Sequence, residues 1–253
     1  MTGLAAQAIG DREWMVVDRN GRFVTQREYP RLALVETALV DAGLQLSGSG
    51  VAPLAVPRAM LPATAREVTI WRSAVRGIDQ GDAAAAWLSA FLRADVRLVR
   101  FDPSKPRRCN PDYVGASGAH TLFADGYPLL VIGAASLDDL NARLVAKRSP
   151  ALPMNRFRPN VVIAGIEPYA EDHLDTLVSH GVTLRFVKPC TRCQVTTTDQ
   201  ATGRVGIEPL PTLSTYRRND ALAAVTFGMN AIVADGAGRT LATGMPAQIT
   251  YHF

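Results

Sequence analysis

Cysteine is scarce. Three in 253 residues cannot build a disulfide framework, and that scarcity suits a reducing compartment. No apolar run approaches the roughly 18 residues that a membrane-spanning helix needs. The opening stretch, MTGLAAQAIGDREW, has no basic segment leading into an apolar one, so no secretion signal is expected and the expected location is the cytoplasm. There is no internal repeat and no glycine-rich phosphate loop. His120, His173, His180 and His252 stand apart without metal-ligand spacing, which leaves them surface or local structural roles. A large excess of one charge is also missing. The 27 basic and 23 acidic side chains give a net charge of +4, too mild to indicate nucleic acid but suited to an anionic ligand if arginines converge.

What is present is an ordinary globular balance, 47% hydrophobic and 20% charged, long enough for one large domain or two small ones. EWMVVD reads as a strand, RNG as a hairpin turn because Asn and Gly tolerate positive φ, and RFVTQR as the returning strand. RLALVETALV reads as strand with some helical character, and residues 43 to 66 hold further strand-like pieces. EVTIWR and RSAVRGIDQ look extended. GDAAAAWLSAFLRADVRLVRF is the clearest helix, with Asp82 as a cap and Trp87, Leu88, Phe91 and Leu92 at helical spacing. DPSKPRRCNPDYVGASG is a loop whose basic part suits an acidic electron-transfer partner. YPLLVIG and RFRPNVVIAG lead through buried strands. SLDDLNARL opens a helix with Ser136 as N-cap, and Asp138 and Asp139 fall in its solvated first turn. TLRFVKPCTRCQVTTTD, TFGMNAIVADG and MPAQITYHF supply the last strands. Many strands, few helices and no regular alternation predict an α+β, predominantly β fold of barrel type, with a boundary near residue 97.

Cys190 and Cys193 form a lone C-x-x-C. A structural zinc site needs two more ligands, and Cys109 and the histidines lack the spacing. A thioredoxin-like pair would open a helix, whereas QVTTTD favours a strand. Two packed thiols are a third reading. The fourth is one thiolate on a soft redox metal, with Arg192 favouring the thiolate and the other donors arriving with a cofactor. If that cofactor carries phosphate, arginines should hold it. Arg27 and Arg31, Arg156 and Arg158, and Arg217 and Arg218 are available. Each alone reads as a solvated charge, although alternation would put Arg156 and Arg158 on one side of an extended segment.

GDREWMVVDRNGRFVTQREYPRLALV, FADGYPLLVIGAASLDDLNARL, MNRFRPNVVIAG, KPCTRCQVTTTDQATG and TFGMN, in that order, resemble the MOSC-domain proteins, and among them the amidoxime-reducing components and bacterial reductases of N-hydroxylated compounds. The resemblance runs from about residue 9 to the end. It implies a β-rich N-terminal MOSC-associated domain over residues 1–97 packed on a MOSC β-barrel over 98–253. It also implies molybdenum held by a pyranopterin dithiolene (molybdopterin), with Cys193 as the metal ligand and Cys190 as a packed or outer thiol. Carried over by motif, the cofactor contacts are Arg27, Asp125, Gly126, Tyr127, Arg158, Thr191, Arg192 and Asn230. Asn160, Thr196 and Thr197 join them or else satisfy backbone groups at a strand start.

The activity implied is reduction of an N–O bond in an N-hydroxylated small molecule, with electrons from a separate reductase, ferredoxin or small cytochrome. The alternative is a carrier that delivers molybdenum cofactor or sulfur without turnover. Two departures from the family pattern stand out. MTGLAAQAIG holds no lysine, so the family's first strand, with its Lys-Ser contact, is expected to be missing. Three cysteines cannot hold a cysteine-ligated iron–sulfur cluster.

Overall fold

The computed structural model describes residues 11–40, 43–57 and 65–252. The segment expected to lack the family's first strand lies outside them. The chain is α+β and mostly strand, with sheets curled into half-barrels.

One antiparallel sheet runs in the order Trp14–Asp18, Val96–Phe101, Ser73–Asp79, Ala65–Ile70. Trp14–Asp18 alternates as the sequence predicts and buries Met15 and Val17. Asn20 and Gly21 make the expected turn, with Gly21 at φ +77 and the Asp18 carboxylate accepting from the Asn20 and Arg22 amides. The returning strand is shorter than expected. Arg22 and Phe23 form single bridges to Thr69 and Val17, and after Val24 the chain leaves the sheet. That departure frees Thr25–Arg27 to wall a cleft.

The helix at Asp82–Leu92 packs Leu88 and Phe91 onto a three-stranded sheet of Glu36–Val40, Gly43–Gly48 and Val51–Pro57. Asp82 does not cap it. Gly81 holds the cap position, its amide donating to Asp79, while Asp82 pairs with Arg97 at 2.8 Å. The helix also stops earlier than the sequence suggests. Arg93 turns left-handed at φ +55, and the β-branched Val96–Phe101 run becomes a strand in the middle of the first sheet. Residue 97, the expected boundary, lies within that strand.

The second large sheet orders Val161–Ile163, Leu129–Gly133, Ala224–Asp235, Val182–Thr191, Leu174–Ser179 and Gln248–Tyr251. The first two are parallel and are linked through a helix at Ala134–Ala146, whose Leu137, Leu140 and Leu144 pack with Phe157 and Phe227. Ser136 is not its N-cap. It is buried one turn in, its hydroxyl donating at 2.7 Å to Glu171, whose other carboxylate oxygen accepts from the Gly133 amide at 3.0 Å. A buried glutamate from a distant segment thus does the capping, and burial pushes its carboxyl pKa up. Asp138 is exposed as expected, but Asp139 accepts from both Arg143 and the Tyr169 hydroxyl.

Of three register shifts between the central pair of strands, two lie near the cysteines. Phe186 faces Ala231 and Lys188 faces Asn230, so Val187 is extra on one strand. Pro189 faces Met229 and Thr191 faces Thr226, so the other strand carries an extra residue, where Gly228 sits at φ +77. Beyond Thr191 the expected strand does not continue. Gln194–Thr197 is a 3-10 turn closed by the Thr196 and Thr197 hydroxyls, which donate to the Cys193 and Gln194 carbonyls.

Candidate functional site

The bulged strands open onto a cleft of about 510 Å³. Thr25–Arg27 and Trp71 wall one side, Asp125–Leu130 another, and Arg156–Asn160 with Lys188–Cys193 the remainder. Hydrogen bonds tie the walls together. Gln26 and Gln200 exchange amide hydrogen bonds of 3.1 and 2.9 Å, and the Asn160 amide donates to the Asp11 carboxylate at 2.8 Å.

Both cysteines of the C-x-x-C line this cleft, in different settings. The Cys190 sulfur accepts from the Arg192 guanidinium at 3.0 Å and lies against the Phe157–Phe227 core. The Cys193 thiol is half-buried and has no hydrogen-bond partner among the described residues. Cys109 is elsewhere, packed with Val114, Tyr127 and Ile232, and burial pushes its thiol pKa up. No three His, Cys, Asp or Glu side chains among the described residues gather as metal ligands. The zinc reading of the sequence therefore finds no ligand set there. The guanidinium placed in the sequence reading to assist the ligand thiolate contacts Cys190 instead.

Arginines do converge, though not all those the sequence offered. Arg158 projects into the cleft from a left-handed residue (φ +56), and its guanidinium has no hydrogen-bond partner among the described residues. It is open to the cleft yet ringed by protein. Desolvation first, then Arg12 and Arg192, depress its pKa, against the pull of Asp11 and Asp125. It remains a cation at neutral pH. Arg192 donates to the Phe157 carbonyl at 2.9 Å and stacks on that ring, leaving its buried Nε without a partner. Arg27 stacks over Trp71 with 4.3 Å to the ring centroid. Its Nε donates to Thr25 Oγ1 at 3.2 Å, and its terminal nitrogens have no partner among the described residues.

Arg156 lines the same cleft as Arg158, but its segment is a 3-10 turn rather than extended, and its guanidinium is already engaged. It is buried against the Thr197 carbonyl (3.2 Å) and Asp199 (2.9 Å). Arg31 lies over Phe91, Arg217 pairs with Asp172, and Arg218 is exposed beside Asp220, so none of these joins the cleft.

A family model described as the MOSC N-terminal beta barrel domain matches residues 1–95, and the MOSC domain matches residues 119–245. Human mitochondrial amidoxime-reducing component 1 is 36% identical over 234 residues, covering 89% of this chain and 67% of the relative. Rat component 2 is 35% identical over 226 residues (86% and 65%), and bovine component 2 is 33% identical over 223 (86% and 65%). The chain belongs to the MOSC family. It spans about two thirds of the length of these relatives.

The other candidates of this MOSC chain divide into those facing the cleft and those holding its frame. Thr191 ends its strand exposed on the cleft wall. Gly126 is there too, with nothing within 4 Å of a Cβ added to it. Asn230 donates to the Lys188 carbonyl at 3.2 Å and so steadies the bulge beside the cysteines. Asn160 accepts from the Leu130 amide at 2.8 Å, so together with Asp11 both ends of its amide have protein partners. Thr196 is buried in its turn, and the Tyr127 ring packs beside Cys109, where burial takes its pKa up to about 12. Asp125 is exposed, and its carboxylate accepts from Trp71 Nε1 at 2.9 Å.

Sequence reasoning missed Arg12, Trp71 and Lys188 on this wall. Arg12 pairs with Asp11 and reaches the Arg158 carbonyl, and Lys188 lies over the Tyr113 ring. None carries a local pattern that sets it apart from an ordinary surface residue.

Proposed function

We propose that this MOSC chain is a molybdenum-cofactor-dependent reductase of N-hydroxylated compounds, served by a separate electron-transfer protein. One observation carries the reading: a partnerless Cys193 thiol shares the cleft with two guanidinium groups, Arg158 and Arg27, that have nitrogens to spare. With one sulfur and no further ligands gathered among the described residues, a metal there needs most of its donors from elsewhere, which a dithiolene-bearing pterin would provide. The buried, partnerless Arg192 Nε is a donor waiting for an acceptor, and it fits the same group.

The bound cofactor supplies two-electron oxygen-atom chemistry. This chain's residues bind and orient. Cys193 would contribute one thiolate, and its side chain would then influence the position and the potential of the metal. Arg158 and Arg27 would neutralise the cofactor's phosphate, through charge-assisted hydrogen bonds that a lysine would make less directionally. Asn230 holds the Lys188–Pro189 bulge and hence the approach of the cysteine segment. Overall, the substrate's N–O bond breaks, two electrons come from the external donor, two protons enter, and water leaves beside the reduced nitrogen base.

The test is to purify the protein from a host that makes molybdenum cofactor, measure molybdenum and pterin per chain, and supply a chemical reductant with benzamidoxime. Near-stoichiometric metal with turnover is expected. Cys193→Ser should abolish turnover, while Cys190→Ser should keep most of it. Metal without turnover would mark a carrier, and zinc in place of molybdenum would remove both readings.

A further inference from the structure

Trp71 is an unusual residue for its position. It tops the hairpin between Ala65–Ile70 and Ser73–Asp79, is 45% exposed, and sits left-handed at φ +54. Bulky side chains avoid that conformation, and glycine or asparagine is the usual choice in such a turn. An exposed tryptophan held there at a steric cost calls for a cause. Its contacts supply one. The indole N–H donates to Asp125 at 2.9 Å, across the cleft mouth from the hairpin to the 122–127 loop. The indole face carries the Arg27 guanidinium at 4.3 Å from its centroid, with Phe23 tilted against it at 5.1 Å.

The far end of this arrangement is also fixed. Arg107 donates to the Asp125 carbonyl at 2.7 Å and to the Ala124 carbonyl, so the loop that presents the Asp125 carboxylate is clamped from behind. Arg107 backs this arrangement, and the line from Asp125 to Trp71 and Arg27 runs from the second matched segment to the first.

The geometry points to Trp71 and Asp125 as positioning residues for Arg27, a latch across the two matched segments that sets the cleft's affinity for a phosphate group. This rests on the reading that Arg27 meets a phosphate. It changes the part assigned to Asp125, which acts through Trp71 rather than on the ligand. The reasoning is entropic. A free arginine side chain must be ordered when an anion binds, whereas one already laid on an indole and tied at Nε to Thr25 has lost most of that freedom beforehand. Without the latch, the charge stays and the preorganisation goes.

The experiment is a double-mutant cycle read by calorimetric titration of inorganic phosphate into the full chain, purified from a host without molybdenum cofactor, at low salt. Trp71→Leu should weaken phosphate by about three- to fivefold, the upper part of the range that an exposed cation–π contact supports. Arg27→Ala should weaken it at least as much. In the double variant, Trp71→Leu should add less than about twofold to Arg27→Ala, because the tryptophan acts only through the arginine. Asp125→Ala should reproduce much of the Trp71→Leu loss, and Asp125→Asn, which keeps an acceptor oxygen, should restore most of the affinity. Melting curves of the Trp71 and Asp125 variants should match the parent, since both side chains are exposed.

Additive losses, or a Trp71→Leu affinity within about twofold of the parent, would overturn the latch while leaving Arg27 as a phosphate contact. No phosphate binding by the parent would overturn the latch together with the phosphate role of Arg27. Neither result bears on metal loading or on the Cys193→Ser assay, so failure here and failure of the reductase reading are told apart.

Discussion

Replacing Gly228 by alanine should destabilise the protein severely, and the reason can be built atom by atom. The residue sits at φ +77 on the bulge of Ala224–Asp235. Holding a side-chain-bearing residue left-handed costs about 1–2 kcal/mol. The new methyl would also stand 2.6 Å from Ile132 Cγ1 and 2.7 Å from the Val131 carbonyl oxygen. The isoleucine can swing aside. The carbonyl cannot, because it belongs to the fully buried strand Leu129–Gly133 in the middle of the sheet. Overpacking of this kind costs about 1–3 kcal/mol more. The sum, about 2–5 kcal/mol, is a large part of the 5–15 kcal/mol that holds an ordinary domain together.

Urea unfolding followed by circular dichroism reads this directly, with the slope expected to stay unchanged while the midpoint falls. Gly126→Ala is the internal control. It lies on the cleft wall with nothing within 4 Å of its added methyl, and its midpoint should not move. A Gly228→Ala loss below about 1 kcal/mol would refute the reasoning, because the bulge would then have relaxed more freely than packed interiors allow.

Glu171→Gln should change how stability depends on pH. Burial raises the Glu171 pKa in the folded state, so its contribution is present below the unfolded value near 4.5 and is lost as pH rises through the folded value. The stability of the glutamine variant relative to the parent should therefore climb between about pH 5 and 8, in thermal melts across that range; a flat or falling difference would refute this. Arg156→Leu removes the partner of the Thr197 carbonyl and of Asp199, and should cost on the order of 2 kcal/mol by denaturant titration. A midpoint indistinguishable from the parent would show that the 3-10 turn after Cys193 needs no such support.

Much of this architecture was legible locally. The alternation from Val182 to Thr191 and the continuous apolar run of Leu129–Gly133 give one half-buried and one fully buried strand. The alanine-rich helix and the Asn20-Gly21 turn announce themselves as well. What stayed hidden depends on distant partners. Nothing near Ser136 reveals that Glu171 will take over the capping. Nothing in the Val96–Phe101 segment reveals that it will find strands on both sides, so it read as more helix. The Thr-rich run after Cys193 has strand-forming residues whose hydroxyls fold back on their own backbone instead.

The cleft follows the same rule. The cysteine and arginine candidates Cys193, Arg158 and Arg192 lie in two short motifs and come together. Arg31, Arg217 and Arg218 look no different in sequence, yet find partners elsewhere, and Arg156 reaches the cleft wall with its guanidinium already taken by the Thr197 carbonyl and Asp199. Trp71 and Arg12 matter only because the fold brings them beside loops far along the chain, and no pattern of spacing contains that information.

The amide exchange between Gln26 and Gln200 and the bond from Asn160 to Asp11 have a practical corollary for anyone recombining genes of this family. Each is a stitch with one thread in either portion of the polypeptide. A hybrid that joins the front of one homologue to the back of another therefore inherits mismatched threads, and its chamber gapes even if both pieces fold. Successful shuffling would have to transplant those facing side chains as cognate sets.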